Sequence, residues 1–234
     1  MSASVLVVIP ARLGSTRLEE KVLLKQTGKY LVQHVYEQAL KIEGVEEVVI
    51  ATDDERVREA VESFGGNAVM TSPDHPSGTD RAAEVARGRD AGVILNLQAD
   101  EPEFEPKDAS ALVAAMTAGT EMGTLVHSEL SDEEQADPSV VKAIVRDGWA
   151  TDFRREPTPG GQRHIGIYAY RADFLQLFSA LPPSAREQAR KLEQMRALDN
   201  GVRIRAVQAS HKGIGIDTPE DYTAFVTRWR ERTS

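Results

Sequence analysis

Val5-Leu6-Val7-Val8-Ile9 is an unbroken apolar run stopped by Pro10. A run this short, with no polar residue at alternate positions, reads as a strand buried on both faces, the form strands take in a parallel sheet covered by helices. Pro10-Ala11-Arg12-Leu13-Gly14-Ser15-Thr16-Arg17-Leu18-Glu19-Glu20-Lys21 follows it, too long for a hairpin turn. In open α/β folds a loop leaving such a strand lies at the carboxyl edge of the sheet, where ligands bind.

The pattern continues in kind. A helix is expected over residues 30–42, with Leu31, His34, Val35, Gln38 and Ala39 near one face, and a strand over 45–51. Thr52 and Glu55 have capping-box spacing, and the helix they start should end at Gly65-Gly66. A short strand over 67–70, a helix over 80–89 and the apolar run Val93-Ile94-Leu95-Asn96-Leu97 come next. Strand and helix in alternation predict an α/β architecture with a mostly parallel sheet. After about residue 122 the pattern changes. Strands are expected over 123–127 and 140–146, parted by an acidic stretch at 131–137. Asp147-Gly148 reads as a tight hairpin turn returning into 149–155. A loop at 157–161, an alternating strand at 164–170, helices over 172–180 and 184–199, a strand over 202–208 and a helix over 219–231 complete the chain.

With 234 residues, 41% of them hydrophobic, the chain suits one large domain or a domain with an embedded subdomain. It has no cysteine, which excludes a disulfide scaffold or thiolate metal site and fits a reducing cytoplasm. Residues 1–4 are not a basic stretch leading into an apolar one, so no signal peptide is expected. No apolar run approaches the ~20 residues of a membrane span. A net charge of −9 argues against a nucleic-acid-binding face. An anionic substrate would need a local concentration of basic residues, and Arg12, Arg17 and Lys21 supply one within ten positions.

Five segments carry candidate chemistry. In the first loop, Gly14 lets the backbone turn so that main-chain N–H groups can face phosphate, while the two arginines offer planar forks and Lys21 a point charge. An ordinary solvated loop would look similar. In Asp74-His75-Pro76-Ser77-Gly78-Thr79-Asp80-Arg81, Ser77 and Asp80 form a plausible capping box, which reads either as a plain helix start or as a helix N-terminus holding polar ligand groups. Asn96-Leu97-Gln98-Ala99-Asp100-Glu101-Pro102 delivers two carboxylates at a strand's carboxyl end, suited to Mg²⁺ beside a triphosphate or to a solvated acidic turn. Thr218, Pro219 and Asp221 have helix-start spacing, which leaves Asp217 unexplained; Asp100 and Asp217 could converge as a two-carboxylate metal site. Alternation in Arg163-His164-Ile165-Gly166-Ile167-Tyr168 puts His164, Gly166 and Tyr168 on one face, with Glu193-Gln194 on a later helix: a polar pocket or a dimer surface.

In this order the segments resemble the 3-deoxy-manno-octulosonate cytidylyltransferase (CMP-Kdo synthetase) family. The resemblance rests on the Pro-Ala-Arg loop, on 74–81 with Ala83-Glu84-Val85, on Gln98-x-Asp100-Glu101-Pro102, on 163–171, on Leu192-Glu193-Gln194-Met195-Arg196-Ala197-Leu198 and on Asp217-Thr218-Pro219-Glu220-Asp221. It implies a Rossmann-like nucleotidyltransferase fold of the nucleotide-diphospho-sugar transferase type with an embedded dimerisation and sugar-binding subdomain. Residues 1–122 and 209–234 would form the nucleotide-binding core, and 123–208 the sugar-acid and dimer part. It implies an Mg²⁺-dependent cytoplasmic homodimer that joins CTP to Kdo for lipopolysaccharide biosynthesis, with no nucleic acid or membrane partner.

Carried over by resemblance, the catalytic residues are Arg12, Lys21, Asp100 and Asp217, with Asp100 and Asp217 holding the metal. Ala11, Arg12, Gly14, Ser15, Arg17, Lys21, Thr71, Ser77, Gly78 and Asp80 would bind nucleotide. Gln98, Arg155, Arg163, His164, Tyr168, Glu193 and Gln194 would line the sugar-acid side. Two departures from the family pattern matter. Glu19-Glu20 stand where a Pro-Gly turn is usual, so they must point away from the triphosphate, bind metal, or weaken nucleotide binding. The segment 149–162 is shortened, with Arg155 as the matching arginine. The same chemistry on an amino-Kdo or a nonulosonate, a CTP-binding protein without turnover, and an unrelated nucleotide-sugar glycosyltransferase are the competing readings.

Overall fold

The structure, a computed structural model, describes residues 4–14 and 17–233. Its strands are β1 (Val5–Pro10), β2 (Val45–Thr52), β3 (Ala68–Met70), β4 (Val93–Asn96), β5 (Met122–His127), β6 (Lys142–Arg146), β7 (Trp149–Arg154), β8 (Gln162–Arg171) and β9 (Ile204–Gln208). They form one sheet in the order β3-β2-β1-β4-β8-β5-β9-β7-β6. The first four strands are parallel throughout. Beyond β4 the sheet is mixed: β8 runs antiparallel to β4 and β5, while β5 and β9 are parallel.

The apolar run that opens the chain is buried on both faces, as its composition predicts. Val5, Val7 and Ile9 pack with helices α1 (Leu31–Ala39) and α2 (Glu55–Ser63) on one side. Leu6 and Val8 pack on the other with α3 (Gly78–Ala86) and with aromatic residues of a later helix, Phe174 and Phe178. Each fully buried Val, Leu or Ile contributes about 1.5–3 kcal/mol relative to exposure. Helix α4 (Pro106–Ala114), which the sequence pattern did not suggest, covers the first face with Ala109 and Leu112. Its Pro at the first turn was the available signal.

The acidic stretch at 131–137 is not a bare spacer. It contains α5 (Asp132–Ala136), started by a complete capping box between Ser131 and Glu134. After α6 (Ala172–Ala180), the helix expected over 184–199 is two, α7 (Ala185–Arg190) and α8 (Gln194–Asp199). Lys191, at φ +53°, ends α7 in the left-handed region. Helix α2 is capped by Asp54, whose side chain accepts from Arg56 N–H, and not by Thr52. The Asp147-Gly148 turn has φ of +51° and +77°, the signs of a type I′ hairpin, as expected. Helix α9 (Pro219–Thr233) closes the molecule through Tyr222 and Phe225 against Leu31 and Ile216.

Candidate active site

The carboxyl ends of β1 and β4 lie side by side, with Val8 opposite Asn96. The chain leaving β4 therefore emerges beside the basic loop leaving β1. Ile216 N–H donates to the Asp100 carbonyl at 2.8 Å, which stitches the segment before α9 to the turn after β4. Asp217 is fixed from behind: its N–H and that of Thr218 donate to Asp221 Oδ2, and Thr218 Oγ1 accepts from Asp221 N–H. The helix-start grammar read in the sequence is thus present, and it aims Asp217 out of the cap.

Lys21 joins the two carboxylates. Its Nζ donates to Asp100 Oδ2 at 2.5 Å, to Asp217 Oδ1 at 3.0 Å and to the Ile216 carbonyl at 3.1 Å. Burial alone would lower the Lys21 pKa, but Asp100 and Asp217 outweigh it and raise it above the ordinary lysine value. Arg17 Nη2 lies 2.9 Å from the second oxygen of Asp217. A cavity of about 270 Å³ opens here, lined by Arg12, Gly14, Arg17, Lys21, Asp100 and Asp217. Ser15, expected to join them, lies outside the described residues.

The gap between Asp100 and Asp217 fits a divalent ion. Its donors are hard carboxylate oxygens, and it already holds one positive centre, the Lys21 ammonium. Among the described residues there is no cluster of three or more Asp, Glu, His or Cys side chains suited to a metal. Two carboxylates suit an ion whose remaining ligands are phosphates and water.

A second cavity of about 160 Å³ adjoins the first, lined by Ala11, Arg12, Ser77, Gly78, Arg81 and Gln98 among others. The Ser77 side chain caps α3 by accepting from Asp80 N–H. Gly78 lets the helix start sit against the loop, since a Cβ there would stand 3.3 Å from the Pro10 ring. The Asp80 carboxylate accepts from the Ser77 hydroxyl at 2.6 Å and is absent from the lining. Thr71 is buried, donating to the Thr52 carbonyl and accepting from Arg81, which also pairs with Asp53 at 3.0 Å. Thr71 and Asp80 therefore support the cavity wall from behind.

The third cavity, about 950 Å³, is lined by Gln98, Glu101, Arg155, Arg163, His164, Gly166, Tyr168 and Gln194 among others. Gln98 borders all three spaces. The alternation read in 163–168 holds, with Ile165 and Ile167 buried in the sheet and His164, Gly166 and Tyr168 facing the cavity. Thr124 fills the irregularity between β5 and β8, donating to the Ile165 and Ile167 carbonyls and meeting His164 Nε2 at 3.0 Å. Burial pushes the His164 pKa down to about 3, so the ring is neutral at pH 7.

Two residues expected on this side are engaged elsewhere. The Arg155 guanidinium donates to the carbonyls of Pro138, Arg190 and Lys191 and so borders the cavity as a clasp for the shortened segment. Glu193 is directed at α3, accepting from the Thr79 hydroxyl, and is absent from the cavity lining. Gln194 does line it, with a buried Nε2 that has no partner.

Glu134 escaped the sequence reading as a site residue, and Glu101, read there as one of two carboxylates suited to Mg²⁺ or to a solvated acidic turn, has a different setting. Glu134 holds Arg163 Nη1 at 2.8 Å and Lys212 Nζ at 3.2 Å. Its capping-box spacing with Ser131 was the available signal. Glu101 is half-buried, and its Oε2 atom is fully buried with no hydrogen-bond partner. Burial first and Asp100 second push its pKa up to about 8. Gly213 and Gly215 make room for it: a Cβ at either would stand 3.2 or 3.4 Å from its oxygens, and Gly213 has φ +64°.

Glu19 and Glu20 are absent from the lining of the first cavity. Glu20 takes a left-handed conformation at φ +48° and turns its carboxylate onto Arg56 of α2, with Oε2 to Nη2 at 2.6 Å. Glu19 is exposed.

A sequence model of a family described as Cytidylyltransferase matches residues 6–204. The 3-deoxy-manno-octulosonate cytidylyltransferase of Escherichia coli is 46% identical over 224 residues, spanning 91% of each chain. That of Geobacter sulfurreducens is 44% identical over 236 residues, spanning 92% of this chain and 94% of its own. A solved structure of CMP:2-keto-3-deoxy-manno-octonic acid synthetase complexed with CTP superposes with a TM-score of 0.93 at 43% identity, covering 98% of this chain and 99% of the other.

Proposed function

This chain belongs to the cytidylyltransferase family, and from that premise we infer that it is a 3-deoxy-manno-octulosonate cytidylyltransferase. It joins CTP to Kdo, giving CMP-Kdo and pyrophosphate for lipopolysaccharide biosynthesis. The observation that carries this reading is the meeting of Asp100, Asp217 and Lys21 where a basic loop adjoins the large polar cavity.

In the reaction the anomeric hydroxyl of the sugar acid attacks the α-phosphorus of CTP. One P–O bond forms, the bond to the bridging oxygen of pyrophosphate breaks, and the hydroxyl proton is released. Arg12, Arg17, Lys21 and main-chain N–H groups near Gly14 bind the triphosphate and offset charge that builds on the leaving group. Ser15 and Ala11 extend that loop. Ser77 and Gly78 at the α3 N-terminus hold nucleoside polar groups, backed by Thr71 and Asp80. Gln98, Arg163, His164, Tyr168 and Gln194 orient the sugar acid, with Arg155 and Glu193 bracing the wall.

Asp100 and Asp217 would hold Mg²⁺. When bound, that ion supplies charge neutralisation and polarises the α-phosphate. Residues 1–122 and 209–234 serve mainly the nucleotide, and 123–208 the sugar acid and contact with a second copy. The chain is read as a cytoplasmic homodimer on the resemblance to its family alone; among the described residues no helix is long and apolar enough to cross a membrane.

The test is pyrophosphate release from CTP and Mg²⁺ with Kdo, an amino-Kdo and a nonulosonate in parallel. Release with Kdo well above the others is expected. Release with another acid but none with Kdo would move the substrate. CTP binding with no release for any acid would make the chain a non-catalytic homologue. Sedimentation velocity checks the dimer.

A further inference from the structure

We propose that the Lys21 ammonium is a resident counter-ion occupying the divalent-cation position, so that the metal enters with the nucleotide and not before it. The inference rests on the CTP reading above.

An ammonium has three donors, and all three of Lys21 are spent, on Asp100 Oδ2, Asp217 Oδ1 and the Ile216 carbonyl. Asp217 is committed on its other oxygen too, to Arg17 at 2.9 Å. Two cations of the chain thus face two carboxylates, and the cluster is neutral without any added ion. The seat is rigid. Ile216 is tied to the Asp100 carbonyl through its own N–H, and Asp217 is held by Asp221. Lys21 itself follows the left-handed turn at Glu20 that Arg56 secures.

A divalent ion on the same carboxylates would sit at about 2.0–2.1 Å from their oxygens, inside the space that Nζ fills. Two positive centres cannot share that gap, so the ammonium must leave. The Lys21 side chain is only 14% exposed, so it leaves cheaply only toward another anion. Triphosphate supplies that anion, and the flexible four-carbon stem gives the reach. Arg17, 59% exposed, is free to make the same exchange. Metal and nucleotide therefore favour each other: the ion releases two cations that the phosphates need, and the phosphates draw away the cations that block the ion.

The experiment is Mn²⁺ titration of the full chain, read by water-proton relaxation, which separates protein-bound Mn²⁺ from Mn²⁺ on free CTP. Wild type, Lys21→Met, Lys21→Gln and the double variant Lys21→Met/Asp217→Asn are compared without CTP, and wild type also with it. Lys21→Met and Lys21→Gln should bind Mn²⁺ without CTP about tenfold or more tightly than wild type. Asp217→Asn should remove that gain. Wild type should acquire tight Mn²⁺ only when CTP is present. Equal Mn²⁺ affinity in wild type with and without CTP would overturn the proposal, as would an uncharged Lys21 variant that melts like wild type and gains nothing. The CTP-free arms do not depend on the nucleotide reading. That reading fails separately, if calorimetry detects no CTP binding to wild type.

Discussion

The carboxylate of Glu20 is clasped by the guanidinium of Arg56, with Nη2 donating to Oε2 at 2.6 Å and Nη1 to Oε1. The pair turns a negative charge away from the cavity that Lys21 borders, and it ties the loop after β1 to the start of α2. Arg56→Ala should release Glu20 toward the nucleotide. We expect a rise in the KM for CTP on the order of two- to fivefold, shrinking as salt is added, because the pair is exposed. Steady-state kinetics at two ionic strengths measure it. An unchanged KM would mean that Glu20 stays away unaided.

Asp100→Asn and Asp217→Asn test the centre of the site. Each removes a carboxylate that Lys21 now bridges. Turnover should fall by roughly 10²–10³-fold or more in each, in the range seen when one electrostatic contributor to a transition state is lost. Melting temperature should change little, since both side chains are partly exposed. Pyrophosphate release near wild type in either variant would remove that residue from the site.

Packing supplies a stability prediction. Arg196 and Glu187 form a buried two-pronged pair, Nε to Oε2 at 2.8 Å and Nη2 to Oε1 at 2.5 Å, with side chains 7% and 12% exposed. Arg196 also stacks over Phe178. Arg196→Ala leaves Glu187 buried and uncompensated, and should cost about 3–5 kcal/mol. Urea denaturation gives the value directly, and a loss under 1 kcal/mol, well below that range, would mean that water repairs the site.

The pH dependence of stability has a readable sign at His34. The ring lies edge-on to Phe225 and Trp229, with Nε2 2.7 Å from Thr27 Oγ1. Burial first, and Lys29 next, lower its pKa to about 4 from a usual 6.5. The unfolded chain therefore binds the proton more readily between those values. The contribution is complete above pH 6.5 and is lost as pH falls toward 4, with a slope approaching ~1.4 kcal/mol per pH unit. Glu101, raised to about 8, acts in the opposite sense from pH 4.5 upward. The difference between wild type and His34→Phe cancels that opposing effect. The variant should lose stability less steeply between pH 6.5 and 4.5; identical slopes would show that His34 titrates normally.

What sequence could and could not reveal follows from the range of the interactions involved. The β1 run, the Asp147-Gly148 hairpin and the Thr218–Asp221 cap are set by neighbours a few residues apart, and their patterns announced them. Many residues that the resemblance named line the three cavities, whereas Thr71, Asp80 and Glu193 line none of them. The split of α7 from α8 was hidden, because a left-handed Lys191 carries none of the signal that glycine would. The directions of Glu193 and Arg155 were hidden for another reason. Each is decided by partners far along the chain, Thr79 in one case and Pro138, Arg190 and Lys191 in the other. The Lys21 bridge spans 79 residues to Asp100 and 196 to Asp217, beyond any local pattern.

Strand β8 pairs with β4 through Asn96–Tyr168 and with β5 through Thr124–Tyr168, so one tyrosine is registered against both halves of the sheet. The wall of the large cavity lined by His164, Tyr168 and Gln194 is thereby continuous with the strand that leads to Asp100. This matters to anyone redesigning the acceptor. The 123–208 part is no exchangeable cartridge, since cutting it out would strip β4 of its neighbour and expose an open edge. New acceptor preference has to be sought by repainting individual cavity side chains, such as His164 or Gln194, on an uninterrupted backbone.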